Sequence, residues 1–139
     1  RSSCYFSLSG LRGDIIYCKQ VYLDNQDNSK TFINKMLEGV RLAIEHAEDV
    51  PILGIGVSSI GPLDSNRGII LDPTNFFGIK DIKIKKVLKE EFDLKVYVNT
   101  YTKASVLAEK YFGGGLNIDD FAYVSFSHGI GAGRYPTYT

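Results

Sequence analysis

The chain has 139 residues, enough for one domain that buries roughly 70% of the surface its unfolded form exposes. Sixteen basic and sixteen acidic side chains cancel, which excludes a polyanion or membrane-surface binder acting through bulk charge. The longest apolar runs are far too short to span a bilayer and the N-terminus lacks the order of a signal peptide, while Cys4 and Cys18, with no ligand-spaced Cys or His partner, read as buried free thiols of a cytosolic protein.

Cys4 to Leu8 and Asp14 to Leu23 have strand character and are joined by Ser9-Gly10-Leu11-Arg12-Gly13, a hairpin turn in which glycine supplies positive φ. Asn25 to Ser29 is polar and suited to cap a helix. From Thr31 to Ala47, residues Ile33, Met36, Val40, Ala43 and Ala47 share one helical face. Pro51 closes that helix region, Ile52 to Val57 reads as a buried strand, Ser58 to Pro62 as a turn, and Gly68 to Leu71 as a short extended piece. Lys83 to Phe92 carries Ile84, Val87, Leu88 and Phe92 at helical spacing. Val96 to Val98 is a β-branched and aromatic strand that runs without a loop into a helix over Thr102 to Phe112, stopped by Gly113-Gly114-Gly115; Phe121 to Phe126 is a further strand.

The order β-β-α-β-α-β-α-β predicts an α/β domain, a mixed sheet, mainly parallel in its later part, with flanking helices. Lys80, Lys83, Lys85, Lys86, Lys89 and Lys95 are interleaved with Asp81, Glu90, Glu91 and Asp93, the pattern of a solvated helix face. The chain opens on Arg1 and stops just after a glycine-rich turn, so a piece of something longer is expected.

The segments Ile52-Leu-Gly-Ile-Gly-Val-Ser-Ser-Ile-Gly-Pro-Leu-Asp64 and Gly68-Ile-Ile-Leu-Asp-Pro-Thr-Asn-Phe-Phe-Gly78 resemble the ROK family, the repressors and sugar kinases that share an actin-like, ribonuclease-H-like fold. The similarity continues through Leu94 to Glu109, Asp120 to Val124 and Gly129 to Gly133, and covers roughly Leu8 to Gly133. Gly129-Ile-Gly-Ala-Gly133 alone is not a dinucleotide fingerprint, because its third glycine comes one residue early and no helix with a ribose acid comes after it. The resemblance implies a two-domain protein with sugar at the domain boundary and, in kinase members, ATP beside it. Residues 1–139 then form the N-terminal α/β domain. Repressor members add a helix-turn-helix, which this stretch lacks, and many carry a Cys-rich zinc site that it lacks too. No metal and no cofactor is expected here.

In kinase members the segment entering the last predicted helix resembles Glu-Asn-Asp-Ala-Asn, where the Asn holds a sugar hydroxyl and the Asp takes the proton from the attacking one. This chain has Asn99, Thr100 and Tyr101 where the first three of those residues stand, and Lys103 where the last does. An ionised carboxylate accepts a proton at neutral pH, whereas a phenol is a neutral donor. Losing a general base typically slows a reaction by about 10²–10⁴. Tyr101 is therefore either a pocket residue or ordinary helix-start packing, and the base is absent on both readings. The Gly-Thr-Gly-Ile-Gly phosphate loop of kinase members reads Ser127-His128-Gly129-Ile-Gly131 here, which keeps the turn glycines but replaces the small hydroxyl with a ring. His128 is a phosphate contact or catalytic acid on one reading and a neutral turn residue on the other.

Sugar-binding positions survive in part. Asn75 matches the Asn of the family's Pro-Asn segment, an amide able to bridge two hydroxyls, and Gly61 matches the glycine that lets backbone approach the sugar. Asp64 reads as a turn residue, and Phe76 and Phe77 as core packing or a stacking face. With these substitutions, the resemblance implies a non-catalytic, sugar-effector-binding domain of a ROK transcriptional regulator, a cytoplasmic homodimer that reaches DNA through a helix-turn-helix elsewhere. The competing readings are an active sugar kinase with a displaced base and a pseudo-enzyme scaffold whose Tyr101 plugs the pocket.

Overall fold

The computed structural model describes residues 2–127 and 129–136. Strands β1 (Ser2–Ser9) and β2 (Ile15–Leu23) form an antiparallel hairpin. Its turn closes through Gly10 N to Asp14 O at 3.0 Å and Gly13 N to Gly10 O at 3.1 Å, with Gly13 at φ +85° as the expected left-handed glycine. Alternation sends Phe6 and Leu23 inward. Cys18 faces outward and is exposed, while Cys4 is half-buried, so only one of the two free thiols fits the buried reading. Burial pushes the Cys4 thiol up to about 11, against the lowering influence of the Lys35 ammonium.

Helix α1 (Ser29–Glu45) starts at Asn28, whose side chain accepts from Lys30 N and Thr31 N while Thr31 Oγ1 accepts from Asn28 N at 2.8 Å. Just before it, the buried Asp27 carboxylate accepts from Lys35 Nζ at 2.8 Å, from Thr31 Oγ1 at 3.0 Å and from Asp24 N at 2.9 Å. Those donors, Lys35 first, hold the carboxyl below its ordinary range. The helix lies close over β1 because residue 39 is glycine: a methyl group there would come within 2.6 Å of the Phe6 ring.

Strand β3 (Ile55–Ser59) pairs in parallel with β6 (Val96–Thr100), Ile55 opposite Val96 and Ser59 opposite Thr100. The sequence expectation of a strand over Ile52 to Val57 is thus displaced toward the C-terminus. The ladder begins where the partner begins, with Ile55 N bonding Lys95 O at 2.8 Å, so Ser58 and Ser59 belong to the strand rather than to the turn. Between these strands come the short β4 (Leu63–Asp64) and β5 (Ile69–Ile70), which pair antiparallel, and helix α2 (Ile84–Phe92). Asp64 closes that hairpin as expected: its Oδ1 accepts from Arg67 N at 2.9 Å and its carbonyl from Gly68 N at 2.7 Å.

Helix α3 (Tyr101–Phe112) continues directly from β6 and ends in the glycine run, where Gly113 N and Gly115 N both bond Glu109 O. Strand β7 (Phe121–Phe126) then pairs antiparallel with β8 (Ile130–Tyr135), a strand where the sequence predicts only a glycine-rich turn. Gly131 and Gly133 are glycines for a packing reason. A methyl at Gly131 would come within 2.7 Å of Tyr101 Oη and Thr102 Cγ2, and one at Gly133 within 2.6 Å of Val106 Cγ2.

Among the described residues the strands form four two-stranded ladders, and only β3–β6 is parallel, so the later part of the chain is less parallel than its element order predicts. Leu23, Phe32, Ile70, Ile79, Ile82, Ile84, Leu88, Val96 and Val98 make one core beneath α1 and α2. Among the described residues no helix is long and apolar enough to cross a membrane.

Candidate functional site at the end of the parallel strands

Parallel strands deliver their C-terminal residues to a common edge, and in α/β folds that edge is where ligands bind. Here the edge is Ser59 opposite Thr100. Ser59 is buried and its Oγ donates to Ile60 O at 3.0 Å, which holds the first turn beyond β3. Gly61 comes next, exposed, with no atom within 4 Å of where a Cβ would stand, so the backbone there faces open space. Opposite Ser59, Thr100 is the N-cap of α3 with φ −66° and ψ 152°, yet its side chain makes no capping hydrogen bond. Its hydroxyl is left for another partner.

Tyr101, the first residue of α3, is exposed, and its phenolic oxygen lies over the Gly131 backbone on β8. The fold thus sets Tyr101 against Gly131 and Thr100 opposite Ser59, two residues before Gly61. Gly129 sits in the β7–β8 turn, where Ser127 N bonds Gly129 O at 2.9 Å, again with nothing within 4 Å of a Cβ position. His128 lies outside the described residues.

Asn75 lies on the loop that follows β5, four residues beyond Leu71. The β4–β5 hairpin returns the chain so that Leu71 N bonds Pro62 O at 3.1 Å, which ties the segment carrying Asn75 to the turn that holds Gly61. Asn75 is exposed with φ +58°, and Phe77, Gly78 and Asp81 also have positive φ. Left-handed backbone is ordinary for glycine and tolerated by Asn, but costs a bulky aromatic residue of order 1–3 kcal/mol. The paired phenylalanines separate in role. Phe76 is 9% exposed and packs edge-on to Phe32 at 5.5 Å, while Phe77 stays 37% exposed. Sequence reasoning missed Ser59, because the apolar run that marks the strand ends before its hydrogen-bonded ladder does. It could not separate Phe77 from Phe76, because adjacent aromatics carry no signal of which one turns inward.

Among the described residues there is no group of His, Cys, Asp or Glu able to hold a metal ion. The edge offers hydroxyls, an amide on a neighbouring loop and exposed backbone, which suits a neutral polyhydroxylated ligand. Residues 2–135 match the ROK family. The chain belongs to the ROK family. It is 30% identical over 128 residues to the putative xylose repressor of Caldicellulosiruptor sp. (strain Rt8B.4), covering 91% of this chain and 32% of that protein. It is also 29% identical over 107 residues to the glucokinase of Thermotoga maritima, covering 77% of this chain and 33% of that one. Among solved structures, a ROK family transcriptional regulator, a homologue of the E. coli MLC protein, superposes with a TM-score of 0.83 at 22% identity, over 95% of this chain and 33% of that one. The ROK hexokinase of Thermus thermophilus gives 0.74 at 26% identity, over 87% and 39%. This ROK chain is thus an α/β domain of the actin-like sugar-kinase fold, and it spans about a third of the length of the curated repressors it matches.

Proposed function

We propose that this ROK chain is the N-terminal α/β domain of a longer two-domain transcriptional regulator, and that it binds a sugar effector without phosphorylating it. The observation that carries the reading is Tyr101. The first residue of α3 stands where the kinase pattern needs an ionised acid, and its hydroxyl lies beside Gly131 on the strand that the kinase pattern reads as a phosphate loop. A phenol donates a hydrogen bond to a sugar oxygen but does not take a proton from one at neutral pH. Asn75, Gly61, Thr100 and Tyr101 would hold the sugar, with Gly129, Gly131 and His128 as the remnant of the phosphate loop. The similarity to xylose repressors supports the regulator over the kinase and makes xylose the first sugar to try. DNA would be reached through a helix-turn-helix elsewhere in a cytoplasmic homodimer, with sugar binding biasing the hinge between its domains.

Isothermal titration of the intact protein against pentoses and hexoses, with an ATP-turnover assay alongside, tests this. Heat with one sugar and no turnover is expected. No heat with any sugar removes the sensor, and turnover at ordinary enzymatic rates removes the regulator in favour of the kinase reading, which the similarity to glucokinase and β-glucoside kinases supports. Tyr101→Ala separates the scaffold reading. A lining tyrosine predicts roughly tenfold weaker sugar binding on its removal, whereas a plug predicts tighter binding.

A further inference from the structure

The lysine-rich segment that reads as a solvated face in sequence divides once the ion pairs are placed. Glu90 takes Lys86, Glu91 takes Arg41 at 2.7 Å, and Lys85, Lys89 and Lys95 are left with no ion-pair partner among the described residues. Those three line one cleft of about 340 Å³ between α2 and the start of β6, together with Asp93 and Tyr97. Lys85 and Lys89 are one helical turn apart on α2, and the Lys85 stem lies against Gly68. Lys95 is fixed from the other side, since its carbonyl accepts from Ile55 N. Tyr97 points away from the core between the buried Val96 and Val98, and its ring is 66% exposed.

We infer that this cleft binds a small phosphorylated molecule that carries a ring, with Lys85, Lys89 and Lys95 around the phosphate and Tyr97 against the ring. Three lysines and one aspartate in the lining leave an excess of positive charge that a phosphate dianion neutralises. An exposed aromatic face beside that charge is the second half of such a site. The cleft has the size of a small-molecule pocket, and a chain of zero net charge does not draw in a polyanion along its length. It is separate from the candidate sugar edge, since Tyr97 and Thr100 stand roughly 10 Å apart along β6 at ~3.3 Å per residue.

The test is isothermal titration of the intact protein with inorganic phosphate, glucose 6-phosphate, adenosine 5′-monophosphate and a short DNA duplex, at low and at physiological ionic strength. The wild type and Lys89→Gln, Lys95→Gln and Tyr97→Ala are compared, with Lys86→Gln, whose partner is Glu90, as the charge control. At least one ring-bearing phosphate should bind more tightly than inorganic phosphate. Each cleft lysine change should weaken it roughly three- to tenfold, Tyr97→Ala should abolish its advantage over inorganic phosphate, and Lys86→Gln should leave it unchanged. Thermal midpoints within a degree or so of wild type confirm that these surface changes leave the fold intact. The proposal is overturned if no phosphate compound binds, if binding survives both lysine changes, or if only the duplex binds.

Discussion

The two halves of the molecule pack by different means. The first, from β1 through α2 with β6, is organised around large apolar side chains that are almost wholly enclosed: Leu23, Ile79, Ile84 and Leu88. The second, α3 with β7 and β8, contributes Val106 to that class and otherwise relies on side chains of α3 (Tyr101, Thr102 and Val106) lying directly on the bare backbone of Gly131 and Gly133. Its outer face carries Phe126 and Ile130, each 78% exposed, beside Val124. Enclosed volume stabilises the first half, and the absence of side chains permits the second. Cavities should therefore do most damage in the first region, while added atoms are the main threat to the second.

Leu23→Ala opens a void in the first half and should cost about 3 kcal/mol, read as a lower midpoint in chemical denaturation. A cost under about 1 kcal/mol would show that the enclosed core can collapse around the gap. Gly133→Val places a branched side chain against Val106 and should cost about 1–3 kcal/mol. Here the discriminating readout is hydrogen exchange: protection should fall in β7 and β8 while β1 and β2 keep theirs, and a uniform loss would mean that the halves unfold as one unit.

Acid should act through the first half. The folded Asp27 carboxyl titrates below its ordinary value of 3.8 because of Lys35, so its contribution is complete above that value and is lost as pH falls through the lower folded one. Asp27→Asn should accordingly flatten the acid limb of a stability–pH profile below that ordinary value, and an unchanged limb would remove Asp27 from the account. The smallest effect belongs to Phe77. Phe77→Gly relieves left-handed backbone but gives up the covered part of the ring, which packs beside Phe76, so the two effects oppose and stability should change by less than about 1 kcal/mol. If the exposed ring stacks on a bound sugar, affinity should fall in the same variant. A lower midpoint with unchanged affinity would make Phe77 a packing residue.

The helices were legible because their signals are local. Apolar spacing marked α1 and α2, a polar stretch held the Asn28 cap, and three glycines marked the end of α3. Strand limits were harder, since β3 begins where β6 can pair with it and not where its own apolar run begins. The missed β8 has a physical cause. Glycine ordinarily signals a turn, and nothing in Gly-Ile-Gly-Ala-Gly announces that a helix some thirty residues earlier will press against it. Of the candidate site, Thr100 and Tyr101 were legible as strand-end residues, and Gly61 only through the resemblance to the ROK family. The contact between Tyr101 and Gly131 was not, because it joins two elements that sequence leaves unrelated.

Among the described residues, three of the four ladders join strands that are near neighbours in the chain, while β3 meets β6 only after some forty intervening residues have been gathered in. Loop closure makes that one meeting the slowest to reach. The three hairpins can assemble early and independently, and the pairing that builds the candidate edge comes last. A nascent chain would therefore acquire most of its secondary structure before it could recognise anything.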